Sequence, residues 1–270
     1  MTSSATDQFA DLAQTYGEMA HWPFRRDLEL PSVFDVLGDL AGLDVLDYGC
    51  GEGTYCRLLK SCKARTVVGF DPQAGMLNGA RSCEQAQPLG IEYVDQLAQL
   101  QGRHFDLVLA VYVLPYAADV DELGRMCVEM AGLLKPGGRL VTLPVHPAFN
   151  STPGYYSKYG FDLSWAGDDP RHTAVTLRLL RRDPPCTIDA RCWSYPDLEQ
   201  ALGKAHFTSI VHTWPSVPRV PLTQAEREHL HDYLAAPHAV ITQCVLGPTE
   251  VMQDGCPVAS PGRTPNAGTR

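Results

Sequence analysis

Short apolar runs alternate with amphipathic segments over about the first 145 residues of the chain. Runs such as Thr66–Phe70 and Phe105–Val111 have the length of buried strands, and the segments between the runs have the composition of helices. Regular alternation of strands and helices is typical of a parallel sheet that carries helices on both faces. The pattern therefore predicts an α/β fold with a doubly wound sheet.

Segments with a different pattern lie on both sides of this predicted core, which we place at residues 41–145. Residues 1–40 contain two stretches of helical spacing, the second over Leu28–Leu40, and are expected to form an N-terminal helical cap. Residues 196–247 are expected to complete the sheet with two strands, Phe207–Trp214 and Ala239–Leu246, joined by a helix over Leu222–Leu234. Residues 248–270 are rich in proline, glycine, serine and threonine, a composition typical of a disordered tail.

The alternation breaks between residues 146 and 195, a segment that we call the lid. Two strand-like runs, Ala174–Leu180 and Cys186–Ser194, are separated by the turn-forming residues Asp183-Pro184-Pro185. The lid is therefore predicted to be a β-hairpin inserted after the fifth strand.

Residues 45–55 read Val-Leu-Asp-Tyr-Gly-Cys-Gly-Glu-Gly-Thr-Tyr and carry the clearest chemical signal in the chain. Glycines at alternate positions let the backbone turn sharply and approach a ligand closely. The helix that follows offers unpaired N–H groups and a positive dipole end. The loop therefore predicts a nucleotide-like ligand.

The glycine spacing separates this loop from a dinucleotide fingerprint. In G-x-G-x-x-G the third small residue comes five positions after the first. Here the third glycine, Gly53, comes four positions after Gly49, and Asp47 precedes the first glycine by two. An acid-x-G-x-G-x-G loop resembles the first motif of class I S-adenosylmethionine-dependent methyltransferases.

Four further segments resemble the motifs of that family and follow in the same order. Asp71 ends an apolar run 24 positions after Asp47, close to the ~20-residue offset of an acid that binds ribose hydroxyls. Asp95 ends the next run, Phe105-Asp106-Leu107-Val108 begins the fourth, and an L-K-P-G-G turn precedes the fifth. The resemblance implies a Rossmann-like, seven-stranded sheet that is mostly parallel and has an antiparallel last strand.

The resemblance also implies S-adenosylmethionine as the cofactor. The glycine loop would wrap its methionine end, Asp71 would bind the ribose, Met76 would line the adenine pocket, and Asp95 would lie near the adenine amino group. The residues expected to bind the cofactor are Tyr16, Arg25, Asp47, Gly49, Cys50, Gly51, Thr54, Tyr55, Asp71, Pro72, Met76, Asp95, Gln96, Ala110 and Val111.

A narrower resemblance rests on Tyr16 before an alanine-containing helix, Pro23-Phe24-Arg25, the glycine loop and the segment Ala-Val-Tyr-Val-Leu-Pro-Tyr-Ala at residues 110–117. These stretches resemble a small-molecule subgroup, the toxoflavin-pathway type and related methyltransferases of bacterial secondary metabolism. The likeness spans about residues 8–247, with specific motifs only in the cofactor half. Pro115 stands where a polar residue such as histidine is expected, which weakens the carry-over of a substrate contact there. The subgroup implies a natural-product acceptor of the antibiotic or alkaloid type.

Methyl transfer from a sulfonium is an in-line displacement, so alignment and exclusion of water supply much of the rate. A base is needed only if the acceptor must lose a proton. Candidate catalytic residues are His146, which follows the fifth strand, and Tyr112 and Tyr16, which are expected to face the sulfonium. The alternative for His146 is a structural role beside Pro147. Arg25 is expected either to pair with the cofactor carboxylate or to be solvated.

Aromatic residues are concentrated in the lid. Such rings bury apolar area and leave hydroxyls to bind an acceptor, which favours a flat aromatic or heteroaromatic substrate, methylated on nitrogen, oxygen or carbon, with an indole-type acceptor included. The alternative is that several rings attach the lid to the core. The residues expected to contact the substrate are Tyr112, His146, Tyr155, Tyr156, Tyr159 and Trp193.

Bulk composition argues against several classes of partner. The net charge is −9, and the only basic cluster, at residues 178–182, is small, so no nucleic-acid partner is expected. No run reaches the ~20 apolar residues of a membrane span, and the first residues lack the features of a signal peptide. We therefore expect a cytoplasmic enzyme with no membrane partner.

The nine cysteines are irregularly spaced and include no C-x-x-C pair. Reduced thiols and no metal site are expected. The sequence does not predict the oligomeric state.

Two other functions fit the same cofactor motifs. The fold can bind S-adenosylmethionine and catalyse a non-methyl reaction, such as cyclisation or decarboxylation, or the chain can be a non-catalytic cofactor-binding partner. A nicotinamide enzyme is a further alternative, which titration with NADH tests.

Overall fold

The computed structural model describes residues 17–19, 21–167, 173–181, 183, 185–216 and 222–248. The predicted first helix, with Tyr16, and the tail from residue 249 onward lie outside these residues.

The described residues form two β-sheets and the helices that flank them. The strands are β1 (Asp44–Tyr48), β2 (Thr66–Phe70), β3 (Glu92–Val94), β4 (Phe105–Val111), β5 (Leu134–Leu143), β6 (Phe161–Trp165), β7 (Ala174–Leu179), β8 (Cys186–Arg191), β9 (Phe207–Thr213) and β10 (Ile241–Leu246). The α-helices are α1 (Leu30–Leu37), α2 (Thr54–Ser61), α3 (Ala74–Ala86), α4 (Val120–Gly132), α5 (Tyr195–Lys204) and α6 (Gln224–Ala235).

The larger sheet has seven strands in the order β3-β2-β1-β4-β5-β10-β9. Strands β1 to β5 pair in parallel, whereas β10 runs antiparallel to both β5 and β9. Fully buried apolar side chains of β1, β4 and β5 pack against helices on both faces. The predicted fold class is therefore confirmed.

Helix starts are fixed by side-chain caps at three places. The side chains of Asp119, Ser194 and Thr223 accept hydrogen bonds from the backbone three residues further on, at the starts of α4, α5 and α6. Such caps satisfy N–H groups that have no partner inside the helix. Strand β8 ends at Arg191, three residues before the predicted end, and Ser194 caps α5 instead of ending the strand.

The N-terminal cap differs from the predicted single helix over Leu28–Leu40. A π-helical turn at Arg25–Glu29 leads into α1, which ends at Leu37 because Gly38 takes a left-handed φ of 70°. Wide π-turns are rare and are frequently found at functional sites. This one places Arg25 and Glu29 beside the carboxyl edge of the sheet.

The lid contains a three-stranded antiparallel sheet in the order β6-β7-β8. Strands β7 and β8 are the predicted hairpin, and β6 is an additional strand that pairs Phe161 with Leu179 of β7. In β6, Phe161 and Leu163 are buried while Asp162 and Ser164 are not, which is the two-residue period of a strand. This strand was not predicted from the sequence, because the aromatic residues of the stretch favoured a substrate wall.

None of the helices within the described ranges combines the length and the apolar character needed to cross a bilayer. The eight cysteines in these ranges are free thiols. The same residues contain no group of three or more His, Cys, Asp or Glu that is able to hold a metal ion.

Candidate active site

A cavity of about 470 Å³ opens at the carboxyl ends of β1, β2 and β4. This volume lies in the range of small-molecule sites, and the carboxyl edge of a parallel sheet is where such folds bind ligands. The sequence-predicted residues that line it are Arg25, Asp47, Gly49, Cys50, Gly51, Thr54, Tyr55, Asp71, Pro72, Met76, Val111 and Tyr112.

Other lining residues were not predicted from the sequence. They are Tyr48, Glu52, Phe70, Gln73, Leu97, Val113, Tyr116, Glu122, Arg125, Met126 and Glu129. Four of them share one face of α4, because positions 122, 125, 126 and 129 recur at helical spacing. That periodicity was available in the sequence, but nothing in it indicated that this face of the helix meets the ligand edge rather than solvent.

Two glycines of the loop, Gly51 and Gly53, differ in the space that surrounds them. Gly53 has a φ of 85°, and a Cβ atom there would lie 2.5 Å from the Tyr93 hydroxyl. Gly51 has a φ of 56°, and a Cβ atom there would meet no protein atom within 4 Å. Gly53 is therefore required for packing of the loop, whereas Gly51 leaves bare backbone beside open space in which a ligand fits.

Asp71 links the loop to the end of β2. Its Oδ2 accepts a hydrogen bond from Gly51 N at 2.8 Å, and its Oδ1 accepts one from Gln73 N at 2.8 Å. Burial raises the pKa of this carboxyl group. Each carboxylate oxygen retains capacity for a further hydrogen bond, so the fixed group suits a pair of ribose hydroxyls.

Asp47 is a second acid in the cavity wall and is 2% exposed. Burial raises its pKa to about 7, and the Cys56 thiol donates to its Oδ2 at 3.1 Å. A buried carboxyl group with such a pKa is stabilised in its charged form by any nearby cation. S-adenosylmethionine carries two cationic groups, so bare backbone at Gly51, the carboxylate of Asp71 and the acid at Asp47 together fit this cofactor.

Arg25 is buried rather than solvated, which decides one of the alternatives left by the sequence. Its Nε donates to Glu29 Oε1 at 2.8 Å, so its charge is already paired inside the protein. The Tyr55 hydroxyl donates to the same carboxylate oxygen at 3.3 Å. Contact between Arg25 and a cofactor carboxylate remains a prediction, and such contact would be made by an arginine that Glu29 holds in place.

Tyr112 also binds Glu29, and its hydroxyl donates to Oε2 of that carboxylate. Burial, reinforced by the charge of Glu29, raises the pKa of the Tyr112 phenol well above its usual value. The residue follows β4 with a left-handed φ of 55°, a conformation that non-glycine residues rarely adopt. The fold therefore holds a neutral phenol in the cavity wall at some conformational cost.

The network continues from Tyr112 to His238, which precedes β10, and to Tyr233 of α6. His238 Nε2 lies 3.2 Å from the Tyr112 hydroxyl, and His238 Nδ1 lies 2.8 Å from the Tyr233 hydroxyl. Burial lowers the pKa of His238 to about 4, so the ring is neutral at physiological pH. Glu29, Tyr233 and His238 were not predicted as site residues, because more than two hundred positions separate Glu29 from the other two and no local pattern joins them.

His146 is buried and does not line the cavity. Its Nδ1 accepts a hydrogen bond from Ala148 N at 3.0 Å, and its Nε2 lies 3.2 Å from the Tyr195 hydroxyl. Both ring nitrogens are thus used inside the protein, and burial lowers the pKa of the ring. These contacts support the structural alternative for His146, while its catalytic and substrate roles stay predictions.

The predicted lid side chains do not line the cavity either. The hydroxyls of Tyr155, Tyr156 and Tyr159 donate to the carbonyls of Asp232, Ala236 and His229 at 2.7, 2.8 and 2.8 Å. Trp193 Nε1 donates to Leu114 O at 2.8 Å. The structure thus places these rings between the lid and the core, the alternative that the sequence left open for them.

Three predicted cofactor contacts also lie away from the cavity wall. Asp95 is exposed, with its carboxylate 3.9 Å from Arg81 Nη2, while the backbones of Asp95 and Gln96 are held by Gln99 Oε1. Ala110 is fully buried in the core beneath the sheet edge. The neighbouring Leu97 and Val111 line the cavity instead.

Residues 46–142 match the protein family described as "Methyltransferase domain". Among curated proteins, the chain is 31% identical over 167 residues to a "Ubiquinone biosynthesis O-methyltransferase" of Chelativorans sp. (strain BNC1), covering 61% of this chain and 58% of that protein. It is 33% identical over 162 residues to the protein of the same name from Brucella anthropi, covering 58% and 60%. The chain therefore spans less than two thirds of the length of these relatives.

Solved structures show the same fold at low sequence identity. The CcbJ methyltransferase from Streptomyces caelestis superposes with a TM-score of 0.60 at 19% identity, covering 91% of this chain and 98% of that one. Magnesium protoporphyrin IX methyltransferase from Synechocystis PCC 6803, solved with bound S-adenosylmethionine, gives a TM-score of 0.54 at 19% identity, covering 91% and 98%.

Proposed function

We propose that this chain, whose residues 46–142 match the family described as "Methyltransferase domain", is a class I S-adenosylmethionine-dependent methyltransferase that transfers a methyl group to a small aromatic or heteroaromatic acceptor. The observation that carries the proposal is the pairing of Asp71 with bare backbone at Gly51, at the mouth of a cavity on the carboxyl edge of the sheet. A fixed carboxylate beside side-chain-free backbone is what a ribose and an amino-acid moiety require of a protein.

Oxygen is the accepting atom that we favour. The curated relatives are named for O-methylation in ubiquinone biosynthesis, and their likeness covers about three fifths of this chain. The cavity wall contains Val113, Tyr116 and Met126 in addition to Tyr112. Such apolar and aromatic side chains suit a flat ring, while the Tyr112 hydroxyl offers it a polar contact.

The cofactor, when bound, supplies an activated methyl group on a sulfonium. The residues of this chain would bind and align the reactants around it. The glycine loop and Asp71 would hold the nucleoside, and Asp47 would balance the positive charge of the cofactor. The aromatic side chains of the cavity wall, Tyr112 and Tyr116 among them, would keep water from the reacting atoms. The natural-product acceptor implied by the narrower sequence resemblance belongs to the same proposal.

Formation of S-adenosylhomocysteine tests this function directly. The protein would be incubated with S-adenosylmethionine and separate phenol, catechol, indole and aromatic-amine acceptors, then with a small-molecule bacterial extract. We expect acceptor-dependent S-adenosylhomocysteine with the phenols or catechols, and its loss in Asp71→Ala because the ribose contact is gone. Tight binding of S-adenosylmethionine with no S-adenosylhomocysteine under any condition would instead support a non-methyl reaction or a cofactor-binding partner.

A further inference from the structure

A continuous hydrogen-bonded chain runs from the interior of the molecule to the wall of the cavity. It joins Tyr233 of α6, His238 before β10, Tyr112 after β4 and Glu29 of the π-helical turn. Of these four side chains, Tyr112 lines the cavity, and Glu29 is 1% exposed. Glu29 thus lies behind Tyr112, a residue of the cavity wall, and is itself out of contact with solvent.

The negative charge of Glu29 sets the direction of the hydrogen bonds in this four-residue network. Glu29 is paired with buried Arg25, and a carboxylate only accepts hydrogen bonds, so the Tyr112 hydroxyl must donate to it. The Tyr112 oxygen then accepts from Nε2 of neutral His238, and Nδ1 of His238 accepts from Tyr233. A phenol oxygen has two acceptor sites, so the Tyr112 oxygen keeps one of them for a group in the cavity.

We propose that Tyr112 and Glu29 form a proton relay for methyl transfer to a hydroxyl group, in which Tyr112 touches the acceptor and Glu29 is the positioning residue that acts through it. This inference rests on the proposed O-methylation.

The relay balances atoms and electrons without an added reactant. The acceptor O–H bond breaks and its proton goes to the Tyr112 oxygen, while the proton that Tyr112 carried moves to Glu29 Oε2. The acceptor oxygen uses the freed electron pair to bond the methyl carbon, and the electron pair of the broken carbon–sulfur bond stays on sulfur. Release of the proton from Glu29 to solvent, through the same phenol, resets the site after the product leaves.

Charge balance favours this route over ionisation of Tyr112 alone. A phenolate beside the Glu29 carboxylate would place two negative charges together in a buried site, which is costly. In the relay, Glu29 loses its negative charge in the same event that removes the positive charge of the sulfonium. The net charge of the site, with Arg25 included, is therefore the same before and after methyl transfer.

His238 and Tyr233 fix the orientation of the relay. The Nε2–H of His238 occupies one lone pair of Tyr112 and thereby directs the phenolic proton toward Glu29. Because His238 stays neutral above a pH of about 4, it does not compete for that proton at physiological pH.

Two acceptors of different acidity separate the relay from a purely structural role. Catechol keeps both hydroxyl protons at neutral pH, whereas the first hydroxyl of 4-nitrocatechol is already largely ionised and needs no base. Turnover of both acceptors, as S-adenosylhomocysteine formed, would be compared for the unsubstituted protein and for Tyr112→Phe. Calorimetry would give the Kd for S-adenosylhomocysteine in each.

We expect Tyr112→Phe to lower kcat with catechol by about 100-fold, the scale of general base catalysis. With 4-nitrocatechol we expect a loss of less than about threefold, since no proton has to move. The Kd for S-adenosylhomocysteine should stay within about threefold, because the Arg25–Glu29 pair is kept. Equal losses with the two acceptors would overturn the relay, because a distorted site slows both alike.

Glu29→Gln should show the same selective loss, since an amide cannot take the phenolic proton. This change leaves the Arg25 charge unpaired, so thermal denaturation must accompany it, and Tyr112→Phe decides the question if Glu29→Gln is unfolded. Tyr195→Phe is the matched control: it removes a part-buried hydroxyl that lies 3.2 Å from His146 Nε2 and does not line the cavity, so both acceptors should be methylated at the unsubstituted rate. Selective loss of catechol methylation in Tyr195→Phe would also overturn the relay.

The same experiment distinguishes failure of the relay from failure of the proposed function. If the unsubstituted protein binds S-adenosylhomocysteine but methylates neither catechol nor 4-nitrocatechol, the proposed O-methylation of phenolic acceptors is wrong. The relay is then wrong as well. If it methylates both and Tyr112→Phe slows both equally, the relay alone is wrong.

Discussion

Asp47 titrates near neutral pH because it is buried, and this makes cofactor binding a proton-linked event. With a pKa of about 7, close to half of the ligand-free molecules carry a proton on Asp47 at pH 7. A cation in the cavity favours the carboxylate and lowers this pKa, so binding of S-adenosylmethionine should release about half a proton at pH 7. Titration calorimetry in buffers of different ionisation enthalpy measures that release.

Because binding releases a proton, the affinity for S-adenosylmethionine should depend on pH, and Asp47→Asn is the control variant. Affinity for S-adenosylmethionine should rise as the pH increases from 6 to 8, because less of the binding energy is spent in removing the proton. In Asp47→Asn the release should fall to the smaller contribution of Asp71, whose pKa burial also raises. An unchanged release in Asp47→Asn would mean that another group titrates.

Two glycines of the loop should respond differently to one added methyl group. Gly53→Ala combines a left-handed φ of 85° with a Cβ atom 2.5 Å from the Tyr93 hydroxyl, so we expect a loss of about 2–4 kcal/mol of folding stability. Gly51→Ala carries only the cost of its left-handed φ, about 1–2 kcal/mol, but places the methyl group in the cavity.

Chemical denaturation and calorimetric titration with S-adenosylhomocysteine distinguish the two effects. Gly51→Ala should weaken binding at least tenfold, and Gly53→Ala should mainly lower stability. The reverse assignment would contradict the view that Gly51 faces the ligand and Gly53 faces the core.

At the scale of elements, the lid is held to α6 by tyrosine hydroxyls that bond backbone carbonyls. Tyr156→Phe and Tyr159→Phe should each cost about 1–3 kcal/mol of stability, because each leaves a buried carbonyl without its donor. Turnover at saturating substrate should be unchanged, since neither ring lines the cavity. Denaturation and steady-state kinetics test both expectations; intact stability with a large loss of turnover would restore the predicted substrate wall.

The lid also shows why aromatic composition alone does not predict a binding wall. A tyrosine has the same sequence pattern whether its hydroxyl meets a ligand or a helix carbonyl. The strands β7 and β8 were predictable from a local turn, whereas the destination of Tyr156 depends on where α6 packs, some 70 positions later. The period-two pattern of β6 was the one local signal in this segment that was available and not used.

Residues at the cofactor edge were easier to predict because local rules place them there. Asp47, Gly51 and Asp71 stand at the ends of parallel strands, and strand order then brings those ends together. Asp95 follows a strand in the same way, yet its side chain turns outward toward Arg81. Glu29 and His238 meet only through tertiary packing, so one sequence without the fold does not reveal their contact.

Ligand binding should raise the thermal stability of the whole molecule. S-adenosylhomocysteine at one hundred times its Kd should add about 2.7 kcal/mol of stability, which is a rise in Tm of about 5–10 °C for a chain of this size. NADH at the same concentration should give no rise, because the loop lacks the glycine spacing of a dinucleotide site. Differential scanning fluorimetry compares the two, and an equal rise with NADH would favour the nicotinamide alternative.

Two further predictions about the whole molecule rest on the sequence alone. A net charge of −9 disfavours a nucleic-acid partner. The cytoplasmic location likewise stays a prediction of the sequence.

Strand β10 is the last strand among the residues that the structure describes, yet it occupies an interior position between β5 and β9. A ribosome therefore delivers the five parallel strands of residues 44–143 well before residues 241–246 can enter the sheet. Until then the edge of β5 is unpaired, and His238 is not in place behind Tyr112. During synthesis, the edge of the sheet that lines the cavity can therefore form first. The proposed proton relay is complete only when His238 has been added, so a nascent chain should be able to bind the cofactor before it can transfer a methyl group.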